Sequence, residues 1–218
     1  MNKIMKVVQC WDDGVTADIQ LIEILRRHNA KATFNLNAGL FKKARGNSWQ
    51  YKGTEVQRLG WNEMKELYEG FIIANHSLSH PRLQELPIED ARKEIVEGRK
   101  RLQDFFNAPI TGFAYPYGTY NEAVMDILRD AGHIYARTVQ YEPLAFPPEN
   151  SLAFHPTCKF NADDFWTRYE QAKECGLFYF WGHSYELIDD TMWQEFENSI
   201  ARITADATSI WVDLPTLF

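Results

Sequence analysis

Several short apolar runs in this chain are followed at once by clusters of polar, chemistry-bearing residues, and that punctuation constrains the fold more than any single motif. The run 6–11 (KVVQCW) ends on Asp12-Asp13-Gly14, and the run 70–75 (GFIIAN) ends on His76-Ser77-Leu78-Ser79-His80-Pro81. The run 112–115 leads into Tyr115-Pro116-Tyr117-Gly118, and the run 178–181 (FYFW) leads into Gly182-His183-Ser184-Tyr185-Glu186. Functional residues at successive strand ends are what an α/β barrel produces, because the C-terminal ends of its strands face one mouth.

The intervening sequence supplies the helices. Helical spacing joins Leu21, Ile24, Leu25 and His28; Met64, Leu67 and Tyr68; Ile88, Ala91, Ile95 and Leu102; Val124, Leu128 and Ala131; and Trp193, Phe196, Ile200 and Ile203. Strands are predicted at 6–11, 31–36, 71–74, 112–115, 134–138, 152–154, 178–181 and 210–212. Such alternation predicts an α/β fold, read here as one single-domain distorted (β/α) barrel over 1–218. The polar stretches 41–60 and 139–161 are long for connectors and are expected to be substrate loops.

Adjacent strand residues point to opposite faces, so Asp12 and Asp13 can share a site only if the strand ends there. Gly14 permits the necessary turn. By itself Asp-Asp-Gly reads equally as a turn with an Asp cap before a helix at 16–28. His76 and His80 are four apart, a spacing that puts both imidazoles on one face of a single helical turn and lets them reach one ion; Pro81 then turns the chain out of helix. No Glu follows the first His, so a third ligand and a base must come from elsewhere, and Asp12-Asp13 offers one of each. A lone His pair at this spacing is also common as surface or cap chemistry, but carboxylate and imidazole clusters at two strand ends together favour a metal.

The order WDDG, KATFNLN (31–37), NHSLSHP, FAYPYG (113–118) and a late His resembles the polysaccharide deacetylase family, the NodB-homology carbohydrate esterases, from about Val7 to at least His183. The resemblance implies a distorted barrel, a divalent metal, most often zinc, and hydrolysis of an N-acetyl or O-acetyl group on a sugar. Carried over by position, it implies Asp13, His76 and His80 as metal ligands and Asp12 as general base. It further implies that the Tyr117 backbone N–H steadies the oxyanion and that His183 protonates the leaving group.

The sequence departs from that pattern in places. Ala114 stands where the family usually carries an arginine that braces the base, and the segment that supports the acid histidine has only a loose candidate, Asp163-Asp164-Phe165-Trp166. The strand 134–138 follows the FAYPYG strand and should end at the same mouth, so Arg137 is expected to take over the brace on Asp12. Cys10-Trp11 replaces the usual Thr-Phe. Trp11, Trp181 and Tyr117 flank the expected site, where flat rings suit sugar faces, although a barrel core also consumes aromatics.

Composition narrows the class. With 218 residues and 45% hydrophobic content the chain can bury a full core. A net charge of −7 disfavours nucleic acid and anionic membrane partners, and Lys42-Lys43-Ala44-Arg45 is too short to overturn this. The longest apolar stretches, such as 177–181, fall far short of the roughly 20 residues that span a bilayer. Three scattered cysteines and no apolar leader lead to the expectation of a cytoplasmic protein acting on an acetylated carbohydrate. A hydrolase of small non-peptide amides and an inactive glycan-binding relative are the alternatives; the sugar itself is not readable.

Overall fold

The computed structural model describes residues 4–141 and 146–218. Its elements in chain order are β1 (Met5–Asp12), α1 (Asp18–Arg27), β2 (Thr33–Leu36), β3 (Gly46–Tyr51), β4 (Thr54–Arg58), α2 (Trp61–Leu67), β5 (Ile72–Asn75) and α3 (Ile88–Phe106). There follow β6 (Gly112–Ala114), α4 (Glu122–Asp130), β7 (Tyr135–Arg137), β8 (Cys158–Lys159), α5 (Phe165–Cys175), β9 (Leu177–Gly182), α6 (Asp190–Ala205) and β10 (Ser209–Trp211). The main sheet is parallel in the order β7-β6-β5-β2-β1-β9-β8, with β10 on the first residues of β1. β10 pairs with Met5–Val7 and β2 with Cys10–Asp12, so two strands share one edge of β1 while β9 takes the other.

The sheet curls towards closure. Phe154 bridges to Arg137 of β7, and only four residues later Cys158 pairs with Phe180 of β9. An extended chain of that length spans at most about 14 Å, so the β7 and β9 sides must approach each other. This is the distorted α/β barrel expected from the sequence, in the form of a curled parallel sheet with helices outside.

Strand parity divides the core. Val8 and Cys10 point inward to meet Tyr135, Phe154, Tyr179 and Trp181. Val7 and Trp11 point outward with Phe34, Phe178 and Phe180 into the helical layer of Leu21, Leu25, Phe196 and Ile200. Asp12 continues the inward parity of Val8 and Cys10 and so arrives at the mouth, while Trp11 is fully buried against Phe160 and Phe196. Trp11 therefore belongs to the outer core and not to the site.

The sequence reading is corrected at four places. The stretch 41–60 is not a bare loop but contains the antiparallel hairpin of β3 and β4, whose alternation is obscured by its exposed, polar residues. The predicted strand 152–154 is instead a 3-10 turn over 151–153, followed by Phe154, which makes a β-bridge to Arg137 of β7. Within 139–161 the structure adds β8, too short to show a period; residues 142–145 of that stretch lie outside those described. Helix α5 was not foreseen, because its buried side is only Phe165, Tyr169 and Ala172, a weak apolar stripe. Among the described residues no helix is long and apolar enough to cross a membrane.

Candidate active site

The turn that ends β1 begins one residue before its glycine. Asp13 has φ 85° and Gly14 φ 65°, both left-handed, so the chain reverses its side-chain direction and brings Asp13 to the same opening as Asp12. A Cβ on Gly14 would lie 2.7 Å from the Phe41 ring, which excludes any larger residue there. The Asp13 carbonyl accepts from Arg58 Nη1 at 2.5 Å, and Arg58 Nη2 lies 3.4 Å from Asp13 Oδ1, so the end of β4 pins this turn.

The histidines following β5 are not on a helical turn. Residues 76–82 are irregular, and Ser77 (φ 65°) and His80 (φ 63°) are left-handed. These left-handed angles break any helix, and the Ser77 hydroxyl accepts from the His80 N–H, closing a local loop. The rings still meet, 4.8 Å apart at their centroids. His76 Nδ1 lies 2.7 Å from the Ala114 carbonyl; a carbonyl can only accept, so Nδ1 carries the hydrogen and Nε2 is left with its lone pair. Burial lowers the His76 pKa to about 4, which keeps the ring neutral, and burial lowers that of His80 as well. One donor atom each from Asp13, His76 and His80 lies within 4.8 Å of the others.

Asp12 is held on both oxygens. Asn35 Nδ2 on β2 donates to Oδ1 at 2.7 Å, and Arg137 Nη2 on β7 donates to Oδ2 at 2.5 Å. Arg137 stands opposite Ala114 in the register of β6 and β7, and its guanidinium lies 4.4 Å from the Trp181 ring centroid. Burial by itself would raise the Asp12 pKa; the charges of Arg137, His76 and His183 and the Asn35 hydrogen bond outweigh it and bring it to about 2. His183 leaves the end of β9 with Nε2 3.9 Å from Asp12 Oδ2 and 3.8 Å from Asp13 Oδ2. Burial opposes its protonation, but Glu186 and then Asp12 and Asp13 hold its pKa above the ordinary value.

Tyr117 has φ 58° in a tight 3-10 turn and is half exposed, with its ring 4.7 Å from that of His80 and 4.4 Å from the Arg82 guanidinium. Tyr117 and His80 line a cleft of about 450 Å³, together with Tyr115, Val139, Tyr141, Lys159, Trp181 and Tyr185. Every site residue expected from sequence borders this cleft: Asp12, Asp13, His76, His80, Tyr117, Arg137 and His183.

Four supporting residues escaped the sequence reading. Asn35 and Asn37 lie in the KATFNLN segment at the inward parity of β2; Asn37 donates to the His76 carbonyl, and the alternation of the two asparagines was a usable signal. Arg58 carried none, since it depends on a tertiary approach; Glu186 stood in the 182–186 cluster three residues after His183, and that spacing was a usable signal. The loose candidate at 163–166 leads into α5 and does not border the cleft: Asp164 pairs with Arg168, and Trp166 packs on Tyr169.

Comparison with known proteins identifies the family and the fold. The peptidoglycan-N-acetylglucosamine deacetylase PgdA of Listeria monocytogenes is 25% identical over 123 residues, 56% of this chain and 23% of that protein. The chitooligosaccharide deacetylase of Azorhizobium caulinodans is 27% identical over 125 residues, 56% of this chain and 52% of the relative. The chain thus matches from under a quarter to about half the length of these relatives. In fold it is similar to peptidoglycan deacetylase PdaC from Bacillus subtilis (TM-score 0.60, 17% identity, 100% of this chain and 91% of that one). It is likewise similar to the Xyl-CE4 domain of a xylanase from the hindgut metagenome of Trinervitermes trinervoides (TM-score 0.63, 14% identity, 98% and 89%). Residues 2–136 match the family model described as polysaccharide deacetylase, and the chain belongs to that family.

Proposed function

We propose that this protein hydrolyses acetyl groups, most directly N-acetyl groups, on a carbohydrate, with a divalent metal held by Asp13, His76 and His80. One observation carries the reading: an aspartate and two neutral imidazoles converge within 4.8 Å, beside an ionised carboxylate and a histidine on the opposite side. The donor set suits a divalent ion such as zinc, and the Nδ1–H bond of His76 to a backbone carbonyl is the kind of support that orients a ligating imidazole. When bound, such an ion supplies acidity to a water and polarises the acetyl carbonyl.

The chain's own groups do the rest. Asp12, kept ionised and fixed by Arg137 and Asn35, takes the proton from the attacking water. The Tyr117 N–H is available as a fixed dipole for the charge that develops on the acetyl oxygen. His183 Nε2–H gives its proton to the leaving nitrogen as the C–N bond breaks, its electron pair passing to nitrogen and acetate departing. The names of the PgdA and chitooligosaccharide deacetylase relatives support chains containing N-acetylglucosamine as the substrate class. Acetate release from triacetylchitotriose should vanish after chelation and return on adding zinc, with about one ion per chain by elemental analysis. Turnover indifferent to chelation, or no stoichiometric ion after loading, would overturn the metal reading.

A further inference from the structure

His183 sits between two groups of carboxylates. Its Nε2 faces Asp12 and Asp13, while Nδ1, on the far side of the ring, lies 3.6 Å from Glu186 Oε1. The 3-10 turn Ser184–Glu186 brings Glu186 back beside the histidine three residues earlier, since positions i and i+3 eclipse in that geometry. Glu186 is 7% exposed, and burial of an unpartnered carboxylate is costly. Lys159, at the end of β8, answers this by donating from Nζ to Oε1 at 2.6 Å. Both His183 Nδ1 and Glu186 Oε2 are buried without a hydrogen-bond partner, so each of two neighbouring side chains lacks what the other can give.

We propose that Glu186, tethered by Lys159, is the positioning residue for His183: its carboxylate accepts Nδ1–H and so aims Nε2–H into the cleft. This rests on the reading of His183 as the proton donor. The carboxylate comes from the histidine's own loop, one 3-10 turn on, and needs no separate motif. Lys159 holds Oε1, the oxygen nearest Nδ1, so fixing the carboxylate beside the ring while Oε2 keeps its acceptor capacity free, and it balances a negative charge that would otherwise stand beside Asp12 and Asp13. In neutral His183 the same contact fixes the proton on Nδ1; in the doubly protonated ring it leaves Nε2–H as the one free to be delivered.

The test uses the leaving group. An amine departs only when protonated, whereas 4-nitrophenolate departs from 4-nitrophenyl acetate without a proton. Glu186→Gln should lower kcat on triacetylchitotriose roughly 10–100-fold, less than the roughly 10²–10⁴-fold that general-acid catalysis supplies because the acid itself remains, with KM nearly unchanged and 4-nitrophenyl acetate turnover within about twofold. Lys159→Met should move the same way by less. In a His183→Ala background, Glu186→Gln should add nothing, because both act through one ring. Independently of turnover, the downfield Nδ1–H resonance of His183 should be present in the wild type and lost in Glu186→Gln. Equal losses on both substrates, a further loss in the His183→Ala background, or an Nδ1–H resonance unchanged in Glu186→Gln would each overturn the assignment. Should His183→Ala leave amide turnover intact, the reading of the acid falls; should only the Glu186 variants do so, the positioning role falls alone.

Discussion

On one side of the mouth, Asp13, His76 and His80 come from two contiguous motifs at the ends of β1 and β5. On the other, Arg137, Lys159, His183 and Glu186 come from β7, β8 and the loop after β9, and share no motif. The family match, 2–136, contains the first side entire and stops one residue short of Arg137. Ligands to one ion must hold fixed mutual distances, which a short segment with set backbone angles provides. A charge that orients a neighbour needs only to arrive at the right place. Any strand ending at that level can supply it, and Arg137 does so from the position paired with Ala114, one strand over, where neighbouring strands are about 4.8 Å apart.

The sharpest break of this comparison is Asp12→Asn, because Asp12 touches both sides. With the proposed base lost and the proposed ligands untouched, kcat should fall roughly 10²–10⁴-fold while metal content stays the same. Simultaneous loss of the ion would mean that the two sides are not separable. Arg137→Ala tests the second side alone. It leaves a buried Asp12 charge with its strongest partner removed, so unfolding should become easier by about 3–5 kcal/mol, with kcat reduced and metal retained. Arg137→Lys should recover part of both. Unchanged denaturation midpoints and kcat would remove Arg137 from the site's working parts.

The smaller effect concerns the tie between the sides. Asp18 on α1 is fully buried and hydrogen-bonded to Tyr68 at 2.6 Å and to Ser184, next to His183. Burial raises its pKa from 3.8 to about 7 despite those bonds. The folded state therefore keeps a proton that the unfolded chain releases near pH 4. Its stabilising contribution is complete below that value and is lost as pH rises towards about 7, by up to about 4 kcal/mol. Asp18→Asn, which mimics the protonated acid, should flatten this slope in denaturation curves from pH 4 to 8. A wild-type slope of the opposite sign would show that Asp18 is ionised throughout.

Much of this arrangement was legible beforehand. The parity of β1, the Asp-Asp-Gly turn and the two histidines specified which side chains converge on one side of the mouth, and Ala114 flagged where the family's usual arginine is absent. The local backbone was less legible: the His76/His80 spacing suggested helix, yet Ser77 and His80 reach the same ring contact through left-handed angles. A four-residue spacing constrains the distance between two side chains more than the path between them.

By itself the sequence determined the alternation of strands and helices, the strand ends at which chemistry gathers, and the residues able to ligate a metal, because periodicity and turn chemistry are local properties. Tertiary structure alone decided that Arg58 pins Asp13, that Asn35 and Arg137 fix Asp12 from two different strands, and that Glu186 and Lys159 stand behind His183. Those contacts depend on the curl of the sheet, which brings together ends that are 23 to 125 positions apart along the chain. No local pattern encodes a distance of that kind.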